Sequence, residues 1–188
     1  GDKIILAYND HTTLYGNFNL IGLPEIKQTF IHYNIIQFQT NIEDIRMISL
    51  PGNKKIRVPN NLRQLGLITY SGKFTGYYDD FVAYGSLGTD LGQISTDLLI
   101  KPDTLNTLRY LGNIQTKNFE IGKIIEDQEK IGKLSMNANV DGTSQPGNIS
   151  AQLSGNIESL DLFDYTYKNV NLKGLLTEKK FDGSFEVS

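Results

Sequence analysis

The chain has 188 residues, a net charge of −3 and no cysteine, which excludes a disulfide framework, a thiolate metal site and a cysteine nucleophile. A hydrophobic fraction of 39% with 21% charged residues is the balance of a folded domain rather than a disordered one. No basic run offers a dedicated nucleic-acid or anionic-membrane surface, and no apolar run reaches the length of a membrane span.

Strand patterns begin at once. The opening "GDKIILAYND" is strand-like, and period-two alternation predicts strands over Thr13–Ile21 and Thr29–Thr40. "TNIEDIRMI" then reads as a short helical turn. Asn41 is a candidate cap, acids fill the first turn, and Ile42 and Ile45 share a face. After a turn at Pro51-Gly52, strands are predicted over Leu67–Thr75, Phe81–Leu87, Gly92–Ile100 and Leu108–Thr116, with turns at Asp79-Asp80 and Lys101-Pro102-Asp103. "NFEIGKIIED" is a second helical turn. Asn118 is its candidate cap, Ile121, Ile124 and Ile125 share a face, and Gly122 weakens it. Both turns read as plugs closing the end of a sheet. Strands Lys133–Val140, Ile149–Glu158, Tyr165–Leu175 and Phe181–Val187 complete the chain, with turns at Asp141-Gly142 and Pro146-Gly147. Tyr165 and Tyr167 are odd while Val170 and Leu172 are even, so a bulge or tight turn is expected near Lys168-Asn169.

Many short strands at regular spacing, separated by turn residues, predict an all-β protein with antiparallel neighbours. We read residues 1–188 as a single β-rich segment of a longer chain, with a sub-boundary placed near 101–107.

Two runs between Gly132 and Ser159 define a dry face. Leu134, Met136, Ala138 and Val140 alternate with polar residues before the turn. Ile149, Ala151, Leu153, Gly155 and Ile157 do so after it. The runs should pair antiparallel and face one interior. A repeated apolar-x-Gly-x-apolar device places a glycine on that parity six times: Gly16, Gly72, Gly112, Gly155, Gly174 and Gly183. Glycine weakens a strand, so six need a reason. Loss of the Cβ lets a sheet curl tightly, the commoner reading and the one the pattern alone prefers. It also leaves room for an apolar trough that its own side chains do not fill.

Sites for chemistry are scarce. His11 and His32 have no metal-ligand spacing, and no nucleophile elbow or P-loop occurs. "GSLGTDLG" at Gly85–Gly92 lies between strands and opens no helix, which argues against a phosphate cradle. Asp79-Asp80, Asp161 and Asp164 read first as turn formers. Tyr77-Tyr78, Tyr165 and Tyr167 read first as cross-strand packing rather than stacking platforms for sugars or bases.

The stretch "LRYLGNIQTKNFEIGKIIEDQEKIGKLSMNANVDG" resembles the translocation and assembly module (TamB) family and its AsmA-like relatives. Those proteins repeat a helical segment of the type N-F-[DE]-[IL]-G-K-[IL]-[IL], followed by a strand of the type G-x-[LV]-x-[LM]-x-[AG]-x-[VL]-x-G. Asn118–Ile125 and Gly132–Gly142 match the two in order and spacing. "YTYKNVNLKGLLTEKKFDGSFEV" and "GLITYSGKFTGYYDDFVAYGSLGTDLGQISTDLLI" are similar to further runs of the same family, so the resemblance spans most of Leu62–Val187.

The resemblance implies a strongly curved sheet with a U-shaped cross-section, the β-taco, whose inside is an apolar groove. It implies a middle, periplasmic segment of an inner-membrane-anchored protein that carries phospholipid and supports outer-membrane assembly. The partner there would be an outer-membrane assembly protein, met through parts of the chain not present here. No enzyme activity, cofactor, metal or nucleic acid is expected. The expected lining of the groove is Leu134, Met136, Ala138, Val140, Ile149, Leu153, Gly155, Ile157, Leu172, Phe181 and Phe185. Two other readings remain open: a structural or protein-binding β-domain with a filled core, and a carbohydrate-active or sugar-binding module. The latter would call for two facing carboxylates in a cleft if catalytic.

Overall fold

The computed structural model describes residues 4–25, 28–47, 49–50, 54–55, 58–77, 80–104, 107–145, 148–177 and 180–187. The turns at Pro51-Gly52 and Pro146-Gly147, and Tyr78 and Asp79, lie outside them. The elements in order are β1 (Ile4–Tyr8), β2 (Thr12–Ile21), β3 (Phe30–Thr40), α1 (Ile42–Met47), β4 (Ser49–Leu50), β5 (Lys54–Lys55) and a 3-10 helix (Asn60–Leu65). Then come β6 (Ile68–Tyr77), β7 (Asp80–Thr89), β8 (Gly92–Thr104), β9 (Thr107–Phe119) and α2 (Ile121–Ile124). The last four strands are β10 (Ile131–Gln145), β11 (Asn148–Leu162), β12 (Tyr165–Thr177) and β13 (Lys180–Val187).

The protein is all-β. Eleven strands form one antiparallel meander in the order β1-β2-β3-β6-β7-β8-β9-β10-β11-β12-β13, with β4-β5 a separate short pair. The sheet is open, because its edges β1 and β13 do not pair with one another. The ladder between β8 and β9 runs from Gln93–Lys117 to Thr104–Thr107, across the segment 101–107.

Each predicted strand lies within an observed one or overlaps it closely, because one-sided burial imposes a period of two. Two predicted turns are corrected. Asp141 and Gly142 lie inside β10, opposite Gln152 and Ala151. Lys101–Asp103 continues β8. In both places turn-forming residues were outvoted by strand pairing on either side.

The slip at Lys168-Asn169 is also corrected. The pairing of β12 with β11 keeps one register throughout, and Asn169 instead takes a left-handed conformation, φ 53°. Register shifts fall elsewhere. Ile36 is the extra residue of β3 against both neighbours, which accounts for an isoleucine 44% exposed in mid-strand. Asn118, φ 48°, sits at a shift in β9. There Thr116 Oγ1 accepts from the Met136 N–H at 3.2 Å and donates to the Leu134 carbonyl at 3.1 Å. The hydroxyl replaces part of the ladder that the shift removes.

The helices gather at one end of the sheet. Asn41 caps α1 as expected, its Oδ1 accepting from the Asp44 N–H at 2.8 Å. Asp44 is buried. It accepts from Thr12 Oγ1 at 2.6 Å and from Asn9 Nδ2 at 3.3 Å, which pins α1 to the β1–β2 turn. Asn118 is not the cap of α2. The helix begins at Ile121, and the Asn118 N–H donates to Ser135 Oγ at 2.9 Å. Ile121 and Ile124 pack inward, but Ile125 is 49% exposed, since a helix of four residues ends before it. Gly122 has a positive role: a Cβ there would collide with the Ile131 carbonyl of β10. The plug core joins Ile42 of α1, Leu65 of the 3-10 helix, Ile68 of β6, Leu91 and Phe119. Asn61 and Gln64 donate side-chain hydrogen bonds to the Ile124 and Lys123 carbonyls, tying the 3-10 helix to α2.

Candidate functional site

Strand register carries the apolar parity across the sheet in four rows. One runs Leu14, Phe38, Tyr70, Leu87, Ile94, Thr116, Met136, Ile157, Val170. The next runs Gly16, Ile35, Gly72, Gly85, Thr96, Ile114, Ala138, Gly155, Leu172, Phe185. A third takes in Phe18, Tyr33, Phe74, Ala83, Leu98, Gly112, Val140, Leu153 and Gly174. A fourth takes in Leu20, Ile31, Gly76, Phe81, Ile100, Tyr110, Gly142, Ala151, Leu176 and Phe181. Directly opposed residues share a face, so one apolar face spans ten of the eleven strands of the sheet, and Leu6 extends it to β1.

The glycines of this face do two jobs. A Cβ on Gly155 would collide with the Asn137 carbonyl and lie 2.9 Å from the Ala138 Cβ, so the absent side chain permits close strand approach. Elsewhere an aromatic ring lies over them. Tyr70 covers Gly72 and Gly85, Tyr110 covers Gly142, and Phe181 covers Gly174 and Gly183. Burial pushes the phenols of Tyr33, Tyr70 and Tyr110 above their ordinary value.

All eleven predicted lining residues fall on this face, and the paired runs of β10 and β11 face one interior, with Met136 opposite Ile157 and Val140 opposite Leu153. They are not equally accessible. Ala138, Val140, Ile157 and Leu172 are buried, at 1–6% exposure, and form a floor. Leu134, Met136, Leu153 and Phe181 are half-buried around it, while Ile149 and Phe185 are exposed. Gly155 contributes backbone.

The open part of the face lies instead at β1–β3. A hollow of about 420 Å³ is bounded by Leu6, Tyr8, Thr12, Leu14, Phe38 and Met47 of α1. The sequence reading missed this place as a site. Its signal was there in Leu14-Gly16-Phe18 and in the apolar opening strand. The part played by Met47 depends on where α1 docks.

A second hollow, of about 550 Å³, opens on the opposite face, between β3 and β9. That face is polar, with rows of Asn, Ser, Gln and Lys. A twisted sheet is concave along one diagonal on each face, so hollows on both sides are compatible.

The remaining singled-out residues do not converge. His32 Nδ1 lies 3.0 Å from Thr75 Oγ1 on the exposed surface. Asp161 accepts from Thr166 Oγ1 at 2.8 Å and serves the β11–β12 hairpin. Tyr165 and Tyr167 are exposed. Gly85–Gly92 lies in β7 and the tight turn into β8. Among the described residues no group of three or more His, Asp or Glu side chains comes together, and no helix is long and apolar enough to cross a membrane. The chain matches no protein-family model, no curated protein and no solved structure.

Proposed function

We propose that this chain is a non-enzymatic, periplasmic segment of a lipid-conducting bridge between two membranes, of the TamB and AsmA-like kind, with acyl chains lying along the apolar face as along the inside of a U-shaped groove. The observation that carries the reading is one mainly apolar face carried across an open antiparallel sheet, with an apolar hollow at β1–β3. Burial of a methylene gains about 0.8 kcal/mol, so ten methylenes of one chain would gain roughly 8 kcal/mol before ordering costs. After those costs the retention is about millimolar, weak enough for a lipid to move on. The plug of α1, the 3-10 helix and α2 would then direct the path along the rows, across the strands, and away from the closed end.

A second reading rests on a specific observation. The floor at β10–β12 is closed by its own side chains, and aromatic rings fill the space over Gly142, Gly174 and Gly183. That favours a filled-core β-domain in the C-terminal half. Mass spectrometry of lipids extracted from the purified chain separates the two. The conduit predicts phospholipid in proportion to protein. Lipid-free protein that stays lipid-free after incubation with phospholipid vesicles favours the filled core.

A further inference from the structure

The polar face carries one ordered row across the sheet: Asn34, Lys73, Tyr84, Asp97 and Asn113 stand directly opposite one another on β3, β6, β7, β8 and β9. Together with Gln115 they line the 550 Å³ hollow, a volume within the range of small-ligand sites, about 300–1,000 Å³. Tyr84 stands in the middle, 49% exposed. Lys73 and Asp97 flank it two strand spacings apart, about 9–10 Å, and form no ion pair with each other. The side chains of Asn34, Lys73, Asp97 and Gln115, and the Tyr84 hydroxyl, make no hydrogen bond or ion pair with another described residue. Polar groups of both kinds thus stand uncommitted around an exposed ring.

We propose that this hollow binds a neutral linear glycan, a site on the face opposite the lipid path and independent of it. Sugar hydroxyls both donate and accept, which amides match on both counts, while an ammonium supplies donors and a carboxylate supplies acceptors. The hydrogen-bearing face of a pyranose packs against an aromatic ring, as Tyr84 would offer, and a row five strands wide suits an extended chain. One cation balanced by one anion selects against phosphate or another charged ligand. A peptide added as a strand has no place here, because every strand from β3 to β9 is paired on both sides. Asp97 is the sole carboxylate among the described lining residues, whereas glycoside hydrolysis needs two, so the glycan is held and not cut.

The test is a heteronuclear NMR titration of the 188-residue chain with maltohexaose, cellohexaose and chitohexaose, each to millimolar concentration. Shifts centred on Asn34, Lys73, Tyr84 and Asp97 with at least one of the three are expected. Tyr84→Ala should weaken that binding about tenfold, Tyr84→Phe should keep most of it, and Lys173→Ala, farther along the same face, should leave it unchanged. Absence of shifts with all three sugars overturns the proposal. So do shifts that persist unaltered in Tyr84→Ala, or shifts lost equally in Lys173→Ala.

Discussion

Replacing Gly155 by alanine adds one methyl group where two strands of the apolar face approach closely. The new Cβ would strike the Asn137 carbonyl and sit 2.5 Å from the Ala138 Cα. Neither neighbour is the free end of a side chain, and Ala138 is itself 1% exposed, so the backbone of β10 has to yield. Overpacking of this kind costs about 1–3 kcal/mol. Stiffening of the unfolded chain returns about 0.4–1 kcal/mol, leaving a net loss of about 1–2 kcal/mol. With a urea slope of about 2 kcal/mol/M, the unfolding midpoint should fall by about 0.5–1 M. Gly88→Ala is the control. Its Cβ would meet only the Thr69 hydroxyl, at 2.7 Å, which can rotate away, so the stiffening of the unfolded chain is unopposed and its midpoint should hold or rise, by at most about 0.5 M. Equal losses in the two variants, or an unchanged midpoint for Gly155→Ala, would refute the claim that close strand approach fixes this glycine.

Thr12→Val removes the hydroxyl that donates to buried Asp44 and should cost about 1–3 kcal/mol in urea unfolding, with Thr12→Ser restoring most of it; an unperturbed midpoint would show that Asp44 does not depend on this donor. Burial raises the folded-state values of Tyr33, Tyr70 and Tyr110 above 10.0. Unfolded tyrosines therefore ionise first, and their contribution is level below about pH 10 and lost as pH rises through the folded values. Urea midpoints taken across that range should fall, and a flat profile would contradict it. Leu153→Asp places a carboxylate on the half-buried rim of the apolar face, where it can reach water; the fold should survive with a loss of about 1–3 kcal/mol while lipid capture drops. Wholesale unfolding in circular dichroism would instead mark a filled core.

The strands were legible because alternation over eight to fifteen residues leaves one consistent parity, as in Lys133–Val140 and Ile149–Glu158. Their interruptions were not. Asp141-Gly142 has the chemistry of a turn, yet Gly142 lies inside β10 beneath the ring of Tyr110, a partner 32 residues away in sequence. Asn169 and Asn118 both adopt positive φ, but only the parity break at Asn169 left a trace, and parity alone does not distinguish an extra residue from a left-handed one. The recurrent glycines were found, and the rings over them had a signal that went unread. Tyr70-x-Gly72 and Phe181-x-Gly183 each set an aromatic two residues before a glycine on one face, close enough to lie down on it. The plug core could not be read locally, since Ile42, Leu65, Leu91 and Phe119 come from four separate segments. The apolar hollow at β1–β3 shares that limit, because Met47 closes it from a helix whose docking depends on Thr12, Thr40 and Asp44.

Site-specific photo-crosslinking tests the lipid path most directly. A benzophenone amino acid at Leu14, in the apolar hollow, should capture phospholipid from vesicles or from the cell envelope. The same group at Asn139, on the polar face of β10, should capture little. Lipid adducts at Leu14 well above those at Asn139 are the result the account predicts. Equal labelling at the two positions, or none at Leu14 in protein that remains folded, would contradict it.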